Sequence, residues 1–84
     1  MRGLEVFCAL IEAGSATRAS QQIGLSQPAV SQQIARLESE LSLTLFIREN
    51  GRMRPTETAL MLYEEASHAF DGLDRVINLA KDIR

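Results

Sequence analysis

The chain has one cysteine, one histidine and one lysine among its 84 residues, and each scarcity excludes something. A lone Cys8 cannot close an internal disulfide, and Cys8 with His68 falls short of the ligand set of a metal site. No stretch is long and apolar enough to span a membrane, and the N-terminus lacks the pattern of a secretory signal, so a soluble cytoplasmic protein is the expectation. Internal repeats and low-complexity segments are missing too. There is no nucleophile with a base and an orienting partner, no carboxylate pair beside a base and no glycine-rich phosphate loop. An enzyme is therefore not expected, nor a cofactor.

Basic excess is also missing. The net charge is -2, whereas a nucleic-acid-binding domain is usually basic. The charge is unevenly placed, however. Up to Thr56 six arginines face five glutamates, and from Glu57 onward three basic residues face six acidic ones. Arg48, Arg52 and Arg54, set against Glu49, are where positive potential would focus. A chain this short buries only about 60% of its unfolded surface, so a second chain is the obvious supplement to its core.

What the sequence does have is an unusual stretch from Ser26 to Glu38. Ser26 is a good helix N-cap, and Pro28 falls in the first turn, where its missing amide costs little. Val30, Ile34, Leu37 and Leu41 repeat at helical spacing as an apolar stripe. The opposite face carries Gln27, Pro28, Ser31, Gln32 and Ala35, with amides, a hydroxyl and small apolar groups but almost no charge. Plain solvation would favour Lys and Glu there. Base edges suit it better, since Gln pairs donor and acceptor with adenine and small apolar groups meet a thymine methyl.

The remaining elements follow from similar signals. Leu4, Phe7, Cys8 and Ile11, widened by Val6 and Leu10, predict a well-buried first helix from Arg2 to Ala13, stopped by Gly14. Ser15 or Thr17 caps a second helix, Ala16 to Ile23, which Gly24 ends. A short glycine-containing turn then leads to the Ser26 helix, the helix-turn-helix pattern. The run from Ser42 to Arg48 is rich in β-formers, and Asn50-Gly51 is a strong hairpin signal. The return run, Arg52 to Thr56, is short and contains Pro55, which marks an edge strand, so the wing is expected over residues 45–56.

Thr56 caps a long last helix, roughly Glu57 to Asp82. Ala59, Leu62, Ala66, Ala69, Leu73, Val76, Ala80 and Ile83 form an a/d seam, with Tyr63, Phe70 and Ile77 beside it. This stripe is too wide for one neighbour. One side can pack on the domain and the other can meet another chain. The expected interface between copies is Leu62, Ala66, Ala69, Phe70, Leu73, Val76, Ile77 and Ala80. The fold expected is mainly α: a winged helix-turn-helix over residues 1–56, with three helices and a two-stranded wing, followed by a linker helix over 57–84.

Together these residues resemble the DNA-binding domain of LysR-type transcriptional regulators over nearly the whole chain. The resemblance rests on Leu4-Glu5-Val6-Phe7, Glu12-Ala13-Gly14-Ser15, Leu25-Ser26-Gln27-Pro28-Ala29-Val30-Ser31, Leu37-Glu38, Leu45-Phe46, Gly51-Arg52 and Thr56-Glu57. The resemblance implies a homodimer on double-stranded DNA, with long helices paired antiparallel, and a tetramer in the full-length protein. It also implies an effector-sensing domain outside these 84 residues, through which a small molecule would act. Gln27, Pro28, Ser31 and Gln32 would face the major groove and Arg52 the minor groove. The family usually has Arg where Gln32 stands, and an aromatic where Ala16 stands; Thr56-Glu57-Thr58-Ala59 lacks its usual Gly.

The candidate DNA contacts are therefore Gln27, Pro28, Ser31, Gln32, Arg36, Arg48, Arg52 and Arg54, with Ser15 and Thr17 at the second helix N-terminus. Arg36 could instead pair with Glu40 one turn on. Two-fold symmetry of the dimer predicts an inverted-repeat operator. The alternative is a winged-helix protein-interaction module working through the long-helix seam.

Overall fold

The computed structural model describes residues 2–83; Met1 and Arg84, the outer ends of the two expected segments, lie outside it. Its order is α1 (Arg2–Ala13), α2 (Ala16–Ile23), α3 (Gln27–Leu41), β1 (Phe46–Glu49), β2 (Arg52–Pro55) and α4 (Glu57–Ile83). The boundaries follow from local chemistry. The Ser15 and Ser26 hydroxyls each accept an amide three residues on, from Arg18 and Ala29, both at 3.2 Å. Gly24 closes α2 in the left-handed region at φ 71°, returning its amide to the Ser20 carbonyl. Ser42 closes α3 in the same region at φ 56°, where a side chain is rarer.

Helix α1 is the centre of the core. Val6 and Phe7 are fully buried, and Cys8 and Leu10 nearly so. Around them lie Ala19 from α2, Val30, Ile34 and Leu37 from α3, Leu45 before the wing, and Ala59 and Ala66 from α4. Each large apolar side chain removed from water here contributes about 1.5–3 kcal/mol before entropy is counted. Ala59 is fully buried at the place where the resemblance leads one to expect Gly. One expectation fails: Leu41 is 41% exposed, because α3 ends there and its last turn runs past the core.

The wing is a two-stranded antiparallel sheet with Phe46 opposite Pro55 and Glu49 opposite Arg52. Asn50 and Gly51 both have positive φ, 53° and 77°, as the tight hairpin requires. The strand is shorter than the β-forming run, starting at Phe46 rather than Ser42. The Phe46 ring meets Phe7 edge to face with centroids 5.9 Å apart, so the wing's base is tied to the core.

Helix α4 has 27 residues, about 40 Å at 1.5 Å per residue, within a molecule whose longest dimension is 49 Å. Its first half lies on the domain, where the Tyr63 hydroxyl donates to Glu12 at 2.8 Å. Its second half projects away.

The expected interface seam is divided accordingly. Ala66 is buried within its own protomer, and Leu62 and Phe70 pack partly against the same core. Ala66 thus belongs to the intramolecular core, and Leu62 and Phe70 straddle the boundary. Ala69, Leu73, Val76, Ile77 and Ala80 are exposed.

Candidate nucleic-acid interface

Between the start of α2, the start of α3 and the wing lies an open hollow of about 570 Å³. Ser15, Thr17, Gln27, Ser31, Arg48 and Arg52 all line it. These six candidates come from three separate parts of the chain. The hollow exists because α1 buries one side of α2 and α3 while the hairpin folds back beside them. Ser15 is the cap of α2, so the free amides of that helix open at the edge of the hollow. Thr17 lies inside the first turn; its carbonyl accepts the Ser20 hydroxyl at 2.8 Å.

Gln27 and Pro28 form the first turn of α3 and are exposed, as is Gln32; Ser31 is half-buried. Pro28, Gln32, Arg36 and Arg54 do not line the hollow. Pro28 and Gln32 remain on the solvent-facing side of the same helix.

The arginines fall into two groups. Within residues 2–56, Arg2 pairs with Glu5 at 3.3 Å, Arg36 with Glu40 at 3.1 Å and Arg54 with Glu49 at 2.8 Å. Arg18, Arg48 and Arg52 form no ion pair among the described residues, and all three line the hollow. Glu49 stands directly opposite Arg52 in the ladder but bridges diagonally to Arg54, which leaves the hairpin-tip guanidinium free. The pair on Arg36 is the i,i+4 alternative anticipated for it. Both pairs are exposed and add little stability, but each sets a carboxylate against its guanidinium and so lowers the net charge that either arginine offers a phosphate.

Sequence reasoning missed Arg18. Its signal was available: it follows the Ser15 cap by three residues, in the first turn of a helix whose N-terminus was already marked for phosphate. Chemically, the hollow offers a helix N-terminus, three unpaired guanidinium groups and a neutral amide–hydroxyl face. That set suits a polyanion with hydrogen-bonding groups between its charges.

Fold and hollow together define a winged helix-turn-helix protein. The family described as bacterial regulatory helix-turn-helix protein, lysR family, matches residues 1–60, and the chain belongs to that family. The transcriptional activator protein LysR of Escherichia coli (strain K12) is 42% identical over 84 residues, spanning 100% of this chain and 27% of that protein. The regulatory protein NocR of Agrobacterium fabrum is 36% identical over 83 residues, 99% of this chain and 28% of NocR. The chain thus corresponds to a minor part of these curated relatives.

Among solved structures, the BenM DNA-binding domain with benA site 1 DNA superposes with a TM-score of 0.88 at 30% identity, covering 99% of this chain and 96% of that one. The CbnR DNA-binding domain in complex with DNA gives 0.85 at 26% identity, covering 98% and 94%.

Proposed function

We propose that this chain is the DNA-binding part of a dimeric transcriptional regulator that reads an inverted-repeat operator. The observation that carries this is the sorting of the arginines. Within residues 2–56, those free of carboxylates converge with Gln27 and Ser31 on one hollow, although the whole chain is acidic. In this reading α3 enters the major groove. Gln27 and Ser31 meet base edges there, and Pro28 offers an apolar contact. Arg52, at the hairpin tip, reaches the adjacent minor groove and neutralises a phosphate at its edge, and Arg18 and Arg48 hold phosphates with the α2 N-terminus.

The partner protomer is held by the projecting half of α4. Leu73, Val76 and Ile77 are 49%, 64% and 52% exposed there, a continuous apolar surface that a monomer would leave in water. No helix among the described residues is long and apolar enough to cross a membrane. The reading is of a regulator working in the cytoplasm, with effector sensing and tetramer formation assigned to further parts of the protein.

The test is selection from a randomised inverted-repeat library followed by gel-shift titration. Enrichment of one half-site pair, with a retarded complex that random DNA does not compete, is the expected result. No retarded complex at low salt overturns it. The exposed apolar face favours one second reading, a module that acts only by protein association through α4, and that same negative result would favour it.

A further inference from the structure

We infer that Glu38 is a positioning residue for the wing: it fixes the hairpin, and with it Arg48 and Arg52, relative to α3. This deepens the proposed DNA-binding function and rests on it. Glu38 stands on α3 three turns beyond Gln27, on the same side of the helix as Gln27 and Ser31 but at its far end. Its carboxylate does not pair with any arginine among the described residues. One oxygen, Oε2, accepts the backbone amides of both Leu45 and Phe46, at 2.7 and 3.2 Å. Those two residues open the wing, Leu45 fully buried and Phe46 beginning β1. A carboxylate bound to two successive amides is a charge-assisted clamp, stronger and more directional than a neutral hydrogen bond.

The clamp has a second half. The Thr56 amide donates to the Leu45 carbonyl at 2.9 Å, so the far end of the hairpin is held by the same residue that Glu38 holds. The Thr56 hydroxyl donates to the Thr44 carbonyl at 2.8 Å and accepts the Ala59 amide at 3.1 Å, which makes it also the cap of α4. Three elements therefore meet at residues 44–46: the reading helix through Glu38, the wing through its own backbone, and the long helix through Thr56. Beyond this joint the wing's tip, Asn50 and Gly51, is exposed and makes no hydrogen bond to the helices among the described residues. The angle at which Arg52 is presented is thus set at the base of the hairpin.

The test is a double-mutant cycle between Glu38 and Arg52. Operator binding by the dimeric protein is measured by anisotropy over a range of potassium chloride concentrations, and thermal melts verify folding. In the wild-type background R52A weakens binding by about tenfold; with E38A present, the further loss from R52A is below about threefold, because the misplaced wing no longer delivers the guanidinium to DNA. E38A also flattens the salt dependence by about 0.9 for each phosphate that is no longer neutralised. E38Q, whose amide oxygen can accept both amides, stays close to wild type in slope. Q27A and E38A add, since Gln27 sits on the helix and not on the wing.

E38D keeps the charge, shortens the reach by one methylene and disturbs the fold less. It gives the same non-additivity with R52A on a smaller scale, and it decides the matter if E38A does not fold. Additive losses for E38D with R52A, or an unchanged salt slope in E38A, overturn the inference. If wild-type protein forms no specific complex, the proposed function itself has failed, which is a separate outcome.

Discussion

The division of the arginines makes a quantitative prediction about salt. If Arg18, Arg48 and Arg52 each neutralise one phosphate, a dimer neutralises six. The slope of log affinity against log salt is then about -5, since each neutralised phosphate contributes about -0.9 on duplex DNA. Raising salt from about 50 to about 200 mM should weaken binding roughly a thousandfold. Arg52→Ala frees two phosphates per dimer and should bring the slope to about -3.6, so that the same salt step costs roughly tenfold less. Arg36→Ala is the control: its guanidinium already has the Glu40 carboxylate at 3.1 Å, so the slope should move by less than about 1.

The assay is fluorescence anisotropy with a labelled operator at five or more salt concentrations. Three results would refute the reasoning: a slope near about -9, which needs five arginines per protomer; no change in Arg18→Ala, Arg48→Ala or Arg52→Ala; or a larger change in Arg36→Ala than in any of these.

Further predictions concern reading, assembly and stability. Gln27→Ala should weaken operator binding by about 1–3 kcal/mol and leave random DNA unaffected, as competition titration would reveal. Leu73→Asp places a charge on the projecting apolar face and should give monomers in sedimentation; a persisting dimer would move the interface elsewhere. Phe7→Ala opens a cavity under both helices and the wing and should cost about 3–5 kcal/mol in urea unfolding. The Cys8 thiol is pushed up to about 11, first by burial and then by the charge of Glu12. Native protein near neutral pH should therefore alkylate at least roughly a hundredfold more slowly than the urea-unfolded chain, by mass spectrometry. The sign for stability follows: the raised thiol favours the folded state below the unfolded value near 9, and that contribution is lost as pH climbs through about 11.

Much of this architecture was legible in the sequence because the signals that end and start elements are local. Ser15, Ser26 and Thr56 cap because a hydroxyl beside a free amide needs no distant partner. Asn50-Gly51 turns because both residues tolerate positive φ. Apolar spacing on α1 and α3 named most of the core, and the Gln27–Ser31 face stood out because it lacked charge where charge is ordinary.

Other features were settled only by packing. Arg52 is free and Arg54 is paired because Glu49 crosses the ladder diagonally, a choice that pairing order alone does not make. Arg18 joins the site because α2 is turned so that its first turn faces the wing. The heptad pattern of α4 is unbroken, yet Ala66 serves the protomer's own core while Leu73 onward stays outside, since the domain is only long enough to cover the helix's first half. Leu41 is apolar and periodic but falls where no element remains to cover it. Glu38 reads as one more surface charge until the chain returns to set two amides against it seven and eight residues later. Periodicity and capping are properties of neighbouring residues, so the sequence determined the elements. Ion pairing, coverage and the clamp on the wing depend on residues brought together from separate elements, and tertiary structure decided those.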